Sequence, residues 1–117
     1  MGKYRTVIAF QSFFADYLET QPYKVQEKIL KTLRIIEELP VVPVNYFKRI
    51  EGTVGLFEIR VVQGKGQYRI FCCFDKGNLV VLLSCFRKKT QKTPLTEIAK
   101  ALRLMHEYYE DNDTITT

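Results

Sequence analysis

The sequence predicts an α+β fold: two N-terminal helices packed on a four- to five-stranded, mainly antiparallel sheet, with a further helix at the C-terminal end. Three observations carry this expectation. Between Phe57 and Lys92, three β-type runs are joined by two short turns, Gly64-Lys65-Gly66 and Lys76-Gly77-Asn78, the pattern of an antiparallel meander. Ahead of the meander, apolar residues recur at helical spacing in two segments. Behind it, Thr93-Pro94 has the form of a helix start, a capping hydroxyl followed by proline at the first helical position.

Taken in order, Lys3 to Phe10 reads as a first strand through Tyr4, Val7, Ile8 and Phe10. Ser12 is placed to cap a helix whose Phe14, Tyr17 and Leu18 share one face. Pro22 interrupts that helix, because the residue before a proline is pushed out of the helical region. A second helix runs from Tyr23 to Leu39, with Val25, Ile29, Leu33 and Ile36 as its stripe, and Pro40 and Pro43 close it. Lys24, Lys28, Lys31 and Glu38 fall largely off that stripe and read as solvated. Val44 to Ile50 is a short linker or strand carrying Lys48 and Arg49.

In the meander, Phe57, Ile59 and Val61 alternate with Glu58 and Arg60, so one face is apolar and the other charged. Arg69 lies opposite Tyr68, Ile70, Cys72 and Phe74 on the second strand, on what reads as a polar face. The third strand, Asn78 to Phe86, is apolar throughout, as a central strand covered on both sides should be. The last helix is expected over Leu95 to Tyr109, burying Leu95, Ile98, Ala99, Leu102 and Met105. One domain over 1–110 and a polar, frayed tail over 111–117 complete the 117 residues.

The net charge of +5 is unevenly spread. From Lys48 to Lys92 there are ten Lys or Arg against Glu51, Glu58 and Asp75, and the rest of the chain is slightly acidic. A basic sheet on such a scaffold points to a polyanionic partner. Cys72, Cys73 and Cys85 sit in apolar strand runs without a CxxC pair, so they read as small buried hydrophobes in a reducing cytoplasm, with neither zinc nor a disulfide framework implied. No apolar run approaches the roughly 18 residues of a membrane span. No P-loop, no Ser-His-Asp order and no metal-ligand cluster occurs, and the lone histidine, His106, reads as a partly exposed helical residue.

What remains is a set of cations beside aromatics. Arg60 and Arg69 on adjacent strands could clamp phosphate oxygens, with Arg87, Lys88, Lys89 and Lys92 leaving the end of the neighbouring strand. Tyr68 and Phe86 are candidate rings for stacking an unpaired base. Such a set suits single-stranded RNA, whose 2′-OH is a built-in nucleophile.

The motifs Leu56-Phe57-Glu58-Ile59-Arg60-Val61, Tyr68-Arg69-Ile70 and Phe86-Arg-Lys-Lys-Thr-Gln-Lys-Thr-Pro94, in this order and spacing, resemble the RelE/ParE toxin superfamily, within it the HigB-like, phage-derived branch. The resemblance covers nearly the whole chain. It implies a RelE-like, microbial-RNase type of fold. It also implies a type II toxin that cuts mRNA in the ribosomal A site, through 2′-OH attack leaving a 2′,3′-cyclic phosphate, without a metal or other cofactor. Carried over by position, the family's strand cation falls on Arg60, its Tyr-Arg arginine on Arg69 and its terminal basic group on Lys88 and Lys89. Lys89, Lys92 and Tyr68 are candidates for the proton-moving side chain, while His106, Tyr108 and Tyr109 have no secure counterpart in the family.

The implied partners are mRNA on the ribosome and a cognate antitoxin of helix-turn-helix type in a hetero-oligomeric complex; an acidic antitoxin segment could cover the basic sheet or, the favoured reading, the antitoxin docks on an apolar face of the N-terminal helical hairpin. Two other functions share the fold: a ParE-like gyrase inhibitor and a non-catalytic basic binding module.

Overall fold

The structure, a computed structural model, describes residues 3–116, with side chains described for residues 3–112. Its elements are β1 (Thr6–Ala9), α1 (Phe13–Glu19), α2 (Tyr23–Glu38), β2 (Phe47–Arg49), β3 (Phe57–Gln63), β4 (Gly66–Asp75), β5 (Leu79–Lys88) and α3 (Leu95–Thr116). One sheet contains all five strands in the order β1-β5-β4-β3-β2. β2 to β5 pair antiparallel, and β1 joins β5 in parallel.

Helices cover both faces of the sheet. On one face, Val25, Ile29, Leu33 and Ile36 of α2 and Phe14 of α1 pack against Ile59, Val61, Tyr68, Ile70, Cys72, Val80 and Leu82. On the other, Ala101, Leu104 and Tyr108 of α3 pack against Leu56, Phe71, Cys73, Val81, Leu83 and Phe86. The apolar run of β5 therefore serves two cores at once, as expected of a strand covered on both sides.

The C-terminal end of α2 is tied to β1 and to the residue just before it. The Arg5 guanidinium donates to the carbonyls of Ile36, Leu39 and Pro40 at 3.0, 2.8 and 3.1 Å, satisfying acceptors that a helix end leaves free. Glu37 accepts the Val7 N–H at 2.9 Å, which occupies a donor on the sheet edge.

Three local expectations change. Ser12 stands at the α1 N-cap without a side-chain capping bond. The α3 stripe is rotated from the expected one: Leu95 is 81% exposed and Ala99 is exposed, whereas Ala101, Leu104 and Tyr108 are buried. Ile98, Leu102 and Met105 flank them half-buried. α3 also continues past Tyr109 to Thr116, so most of the expected tail is helical, and the side chains of 113–117 lie outside the described residues. Among the described residues, no helix is long and apolar enough to cross a membrane.

Candidate functional site

The site lies on the α3 face of the sheet, at the end that α3 leaves open. Strand alternation and register place its members. Lys48 pairs with Glu58, Arg60 with Arg69, and Gln67 with Lys88, so one row of polar side chains crosses β2, β3, β4 and β5. One irregularity decides the fourth strand. The β4–β5 register shifts between Ile70 and Cys72, so Leu83 and Ser84 both stand opposite Phe71. This β-bulge reverses the parity of everything after it. Phe86 and Lys88 turn to the Arg69 face, and Arg87 turns to the other. Without the extra residue, Arg87 would have met Gln67 and Lys88 would have pointed away.

At the centre of the row is a carboxylate that sequence reasoning passed over as a site residue. Glu58 is 3% exposed and accepts from Arg60 Nε at 3.1 Å. Its other oxygen lies 3.7 Å from Arg69 Nε, an ion pair longer than a hydrogen bond. Arg69 is also buried, at 6%, and its terminal nitrogens donate to the Tyr68 carbonyl and to Gln67 Oε1, each at 3.2 Å. Among the described residues, Glu58 Oε2 and Arg69 Nε have no hydrogen-bond partner. Buried charges kept only partly satisfied are characteristic of functional sites, since pairing alone rarely repays their desolvation.

Burial, and then Arg60, pull the Arg69 pKa below its usual value against the opposing pull of Glu58. Lys88 is lowered as well, first by burial, then by Arg69, Arg60 and Lys48, with Glu58 opposing. A polar hollow of about 310 Å³ adjoins the row, lined by Lys65, Gln67, Lys88, Lys89, Thr90 and Gln91. The arrangement is chemically apt for a phosphodiester. It offers Arg60 for the non-bridging oxygens with the buried Arg69 cation beside it, and a lysine whose proton is loosened by burial and by the neighbouring cations.

Of the residues singled out by sequence, Arg60, Arg69 and Lys88 come together, and Lys89 joins Lys88 at the hollow. Arg87 lies on the other face, its guanidinium 5.8 Å from the centre of the Tyr68 ring. The stacking roles of Tyr68 and Phe86 are corrected: they are 3% and 8% exposed and belong to the two cores, because each ring points from its strand into a covered face. Tyr68 is held so closely over the hairpin turn that a methyl group on Gly66 would stand 2.7 Å from its hydroxyl, a space only glycine leaves. Lys92 is exposed on the loop beyond β5.

Arg69 likewise departs from the polar, solvated face expected of it. Its outward neighbours on β4, Phe71 and Cys73, are buried under α3. The helix residues lie elsewhere. Tyr108 donates to Asp75 at 2.7 Å and Tyr109 to the Phe74 carbonyl at 2.6 Å, some 20 Å from Arg69 along β4 at about 3.3 Å per residue. His106 is solvent-exposed, 3.1 Å from Glu110. The register of Lys48 with Glu58 was the signal that could have added Lys48, but a three-residue strand is hard to place from sequence.

Two comparisons bear on this geometry. The fold, an α+β sheet with helices on both faces, is similar to one chain of the crystal structure of the archaeal RelE–RelB complex from Pyrococcus horikoshii OT3. That match has a TM-score of 0.51 and 22% identity, over 69% of this chain and 91% of that one. Residues 16–106 match the family described as "Phage derived protein Gp49-like (DUF891)". The fold is thus of the RelE class, and the chain belongs to the Gp49-like phage-derived family. No curated protein matches it.

Proposed function

We propose that this protein is the toxin of a type II toxin–antitoxin pair, an endoribonuclease that cuts mRNA on the ribosome and is silenced by a cognate antitoxin. The supporting observation is the Arg60–Glu58–Arg69 group on the open end of the sheet, flanked by Lys88 on one side and Lys48 on the other. In this reading, Glu58 is a positioning residue. Buried beside both guanidiniums, it holds Arg60 and Arg69 by their Nε atoms and offsets their repulsion.

The scissile phosphate lies across Arg60 and Arg69. Lys88 in its neutral form takes the proton of the ribose 2′-OH, and the 2′-oxygen bonds to phosphorus. The bond from phosphorus to the 5′-oxygen breaks, and that oxygen takes a proton from the Lys48 ammonium. The products are a 2′,3′-cyclic phosphate and a 5′-OH. The arginines stabilise the charge that builds on the pentacovalent phosphorus, and no metal is called on.

The test is translation in a cell-free extract with mapping of mRNA ends. Ribosome-dependent cuts ending in a cyclic phosphate are expected, and are lost in Glu58→Gln and Lys88→Gln. Cleaved supercoiled DNA in place of cut mRNA would assign the protein to the gyrase-directed class. Neither product would leave a binding module.

A further inference from the structure

The outer face of α2 is the second cationic surface of the molecule. Lys24, Lys28, Lys31 and Arg34 line a groove of about 690 Å³ together with Glu27, Leu30 and Gln63. Lys24, Lys31 and Arg34 are exposed and Lys28 is half-exposed. Among the described residues, none of the four makes an ion pair or a side-chain hydrogen bond, so their charge is not neutralised within the fold. The apolar stripe of α2 is spent on the sheet, and Leu30 is the single apolar residue in the groove.

The groove and the sheet site approach the β3–β4 hairpin from opposite faces of the sheet. Gln63, at its wall, ends β3, and the next residues of the same hairpin turn, Lys65 and Gln67, line the hollow beside Lys88 and Lys89. Seven cations, Lys24, Lys28, Lys31, Arg34, Lys65, Lys88 and Lys89, line the two hollows on either side of the hairpin end, and Glu27 is the one acid among these lining residues.

We propose that the α2 groove is a second RNA-backbone site, which holds the strand flanking the phosphate bound on the sheet. The proposal rests on the reading of the sheet as an RNA site. Helical rise puts successive cations of the row about 4.5–6 Å apart along the axis over about 15 Å, a spacing suited to a chain of regularly placed phosphates. An acidic amphipathic helix would need an apolar stripe to dock on, and the groove provides one leucine.

Fluorescence anisotropy with 2′-O-methyl RNA, which cannot be cut by 2′-OH attack, tests this on the whole chain. Two unstructured probes are used, of about 5 and about 20 nucleotides, bracketing ordinary single-strand site sizes. Substituting Lys24, Lys28, Lys31 and Arg34 together by Gln should weaken the long probe at least about tenfold at low salt. It should flatten the slope of log K against log salt by about 2.8, that is about 0.7 for each of four contacts. The short probe should change less than about twofold, because the sheet alone holds it. Single substitutions such as Lys28→Gln should each remove about 0.7 of slope, so the test stands if the quadruple variant folds poorly.

Unchanged binding of the long probe, or equal loss on both probes, overturns the proposal. So does a quadruple variant that binds RNA normally but loses a poly-glutamate peptide, which would assign the groove to an acidic protein segment. Failure of the sheet reading is seen separately, as a Lys88→Gln, Lys89→Gln variant that leaves the short probe unaffected.

Discussion

The α3 face of the sheet has two halves built from the same strands with the same pleat, and they differ in almost every physical respect. Under α3, Phe71, Cys73, Val81 and Leu83 meet Ala101, Leu104 and Tyr108 in a closed apolar layer. Beyond the helix, Lys48, Glu58, Arg60, Arg69 and Lys88 share the continuation of that face, with Glu58 and Arg69 buried and Lys48, Arg60 and Lys88 reaching solvent. The closed half uses its polar groups for anchoring. Burial and the hydrogen bond to Asp75 raise the Tyr108 pKa, and burial raises the Cys73 thiol to about 11. The open half keeps charges that are only partly paired, and its lysine is lowered. One half holds the protein together, and the other holds electrostatic free energy that an arriving phosphate can release.

The sharpest way to break this division is Phe71→Ala. Removing a fully buried ring from the closed half should lower unfolding free energy by about 3–5 kcal/mol in urea titrations. A loss below about 1 kcal/mol would mean that the closed half is not the anchor.

Arg69→Ala comes next and reaches both halves of the argument. Loss of one preorganised cation facing a developing phosphorane charge is worth roughly 3 kcal/mol, about a hundredfold in single-turnover cleavage rate. Stability should fall as well, because Glu58 loses one of two counter-charges in a buried site, contrary to a purely surface role. Full activity in a folded Arg69→Ala protein would exclude the proposed site.

Tyr108→Phe tests the closed half alone. It should cost about 1.5–3 kcal/mol, the range for a hydrogen bond to a charged acceptor, while cleavage rate is unchanged. Because the folded-state Tyr108 pKa lies above 10.0, the stability it lends is complete below pH 10 and drains away as pH rises beyond that. The variant should therefore show a shallower alkaline loss in thermal melts. A fall in cleavage equal to that of Arg69→Ala would show that the two ends of β4 are coupled.

The smallest effect on stability belongs to Lys88→Gln. With its folded pKa below 10.5, Lys88 binds fewer protons folded than unfolded in that window. This contribution therefore adds stability as pH rises through the window and opposes folding at neutral pH. The variant should melt at or slightly above the wild-type temperature at pH 7, yet lose cleavage. A clear drop in melting temperature would mean that Lys88 is a structural ion-pair partner rather than a group held under strain.

Much of this was legible in one dimension. Alternation in Phe57 to Val61 and the glycine turns marked the meander, and the 3.6-residue spacing of Val25, Ile29, Leu33 and Ile36 marked α2, because both patterns follow from local backbone geometry. The cations Arg60, Arg69 and Lys88 could be singled out because unpaired charge on a strand needs a reason. Tertiary structure alone decided the rest. A bulge at Leu83–Ser84 is a property of two strands in register, so no reading of β5 by itself could choose between Arg87 and Lys88 for the site face. The burial of Tyr68, Phe86 and Glu58 depends on which helix covers which half of which face, and the rotation of the α3 stripe depends on the same packing. The groove on α2 stayed hidden for a related reason. Charge averaged along the chain made that region look mildly acidic, and only folding set Lys24, Lys28, Lys31 and Arg34 beside Gln63 at the turn that leads to the site.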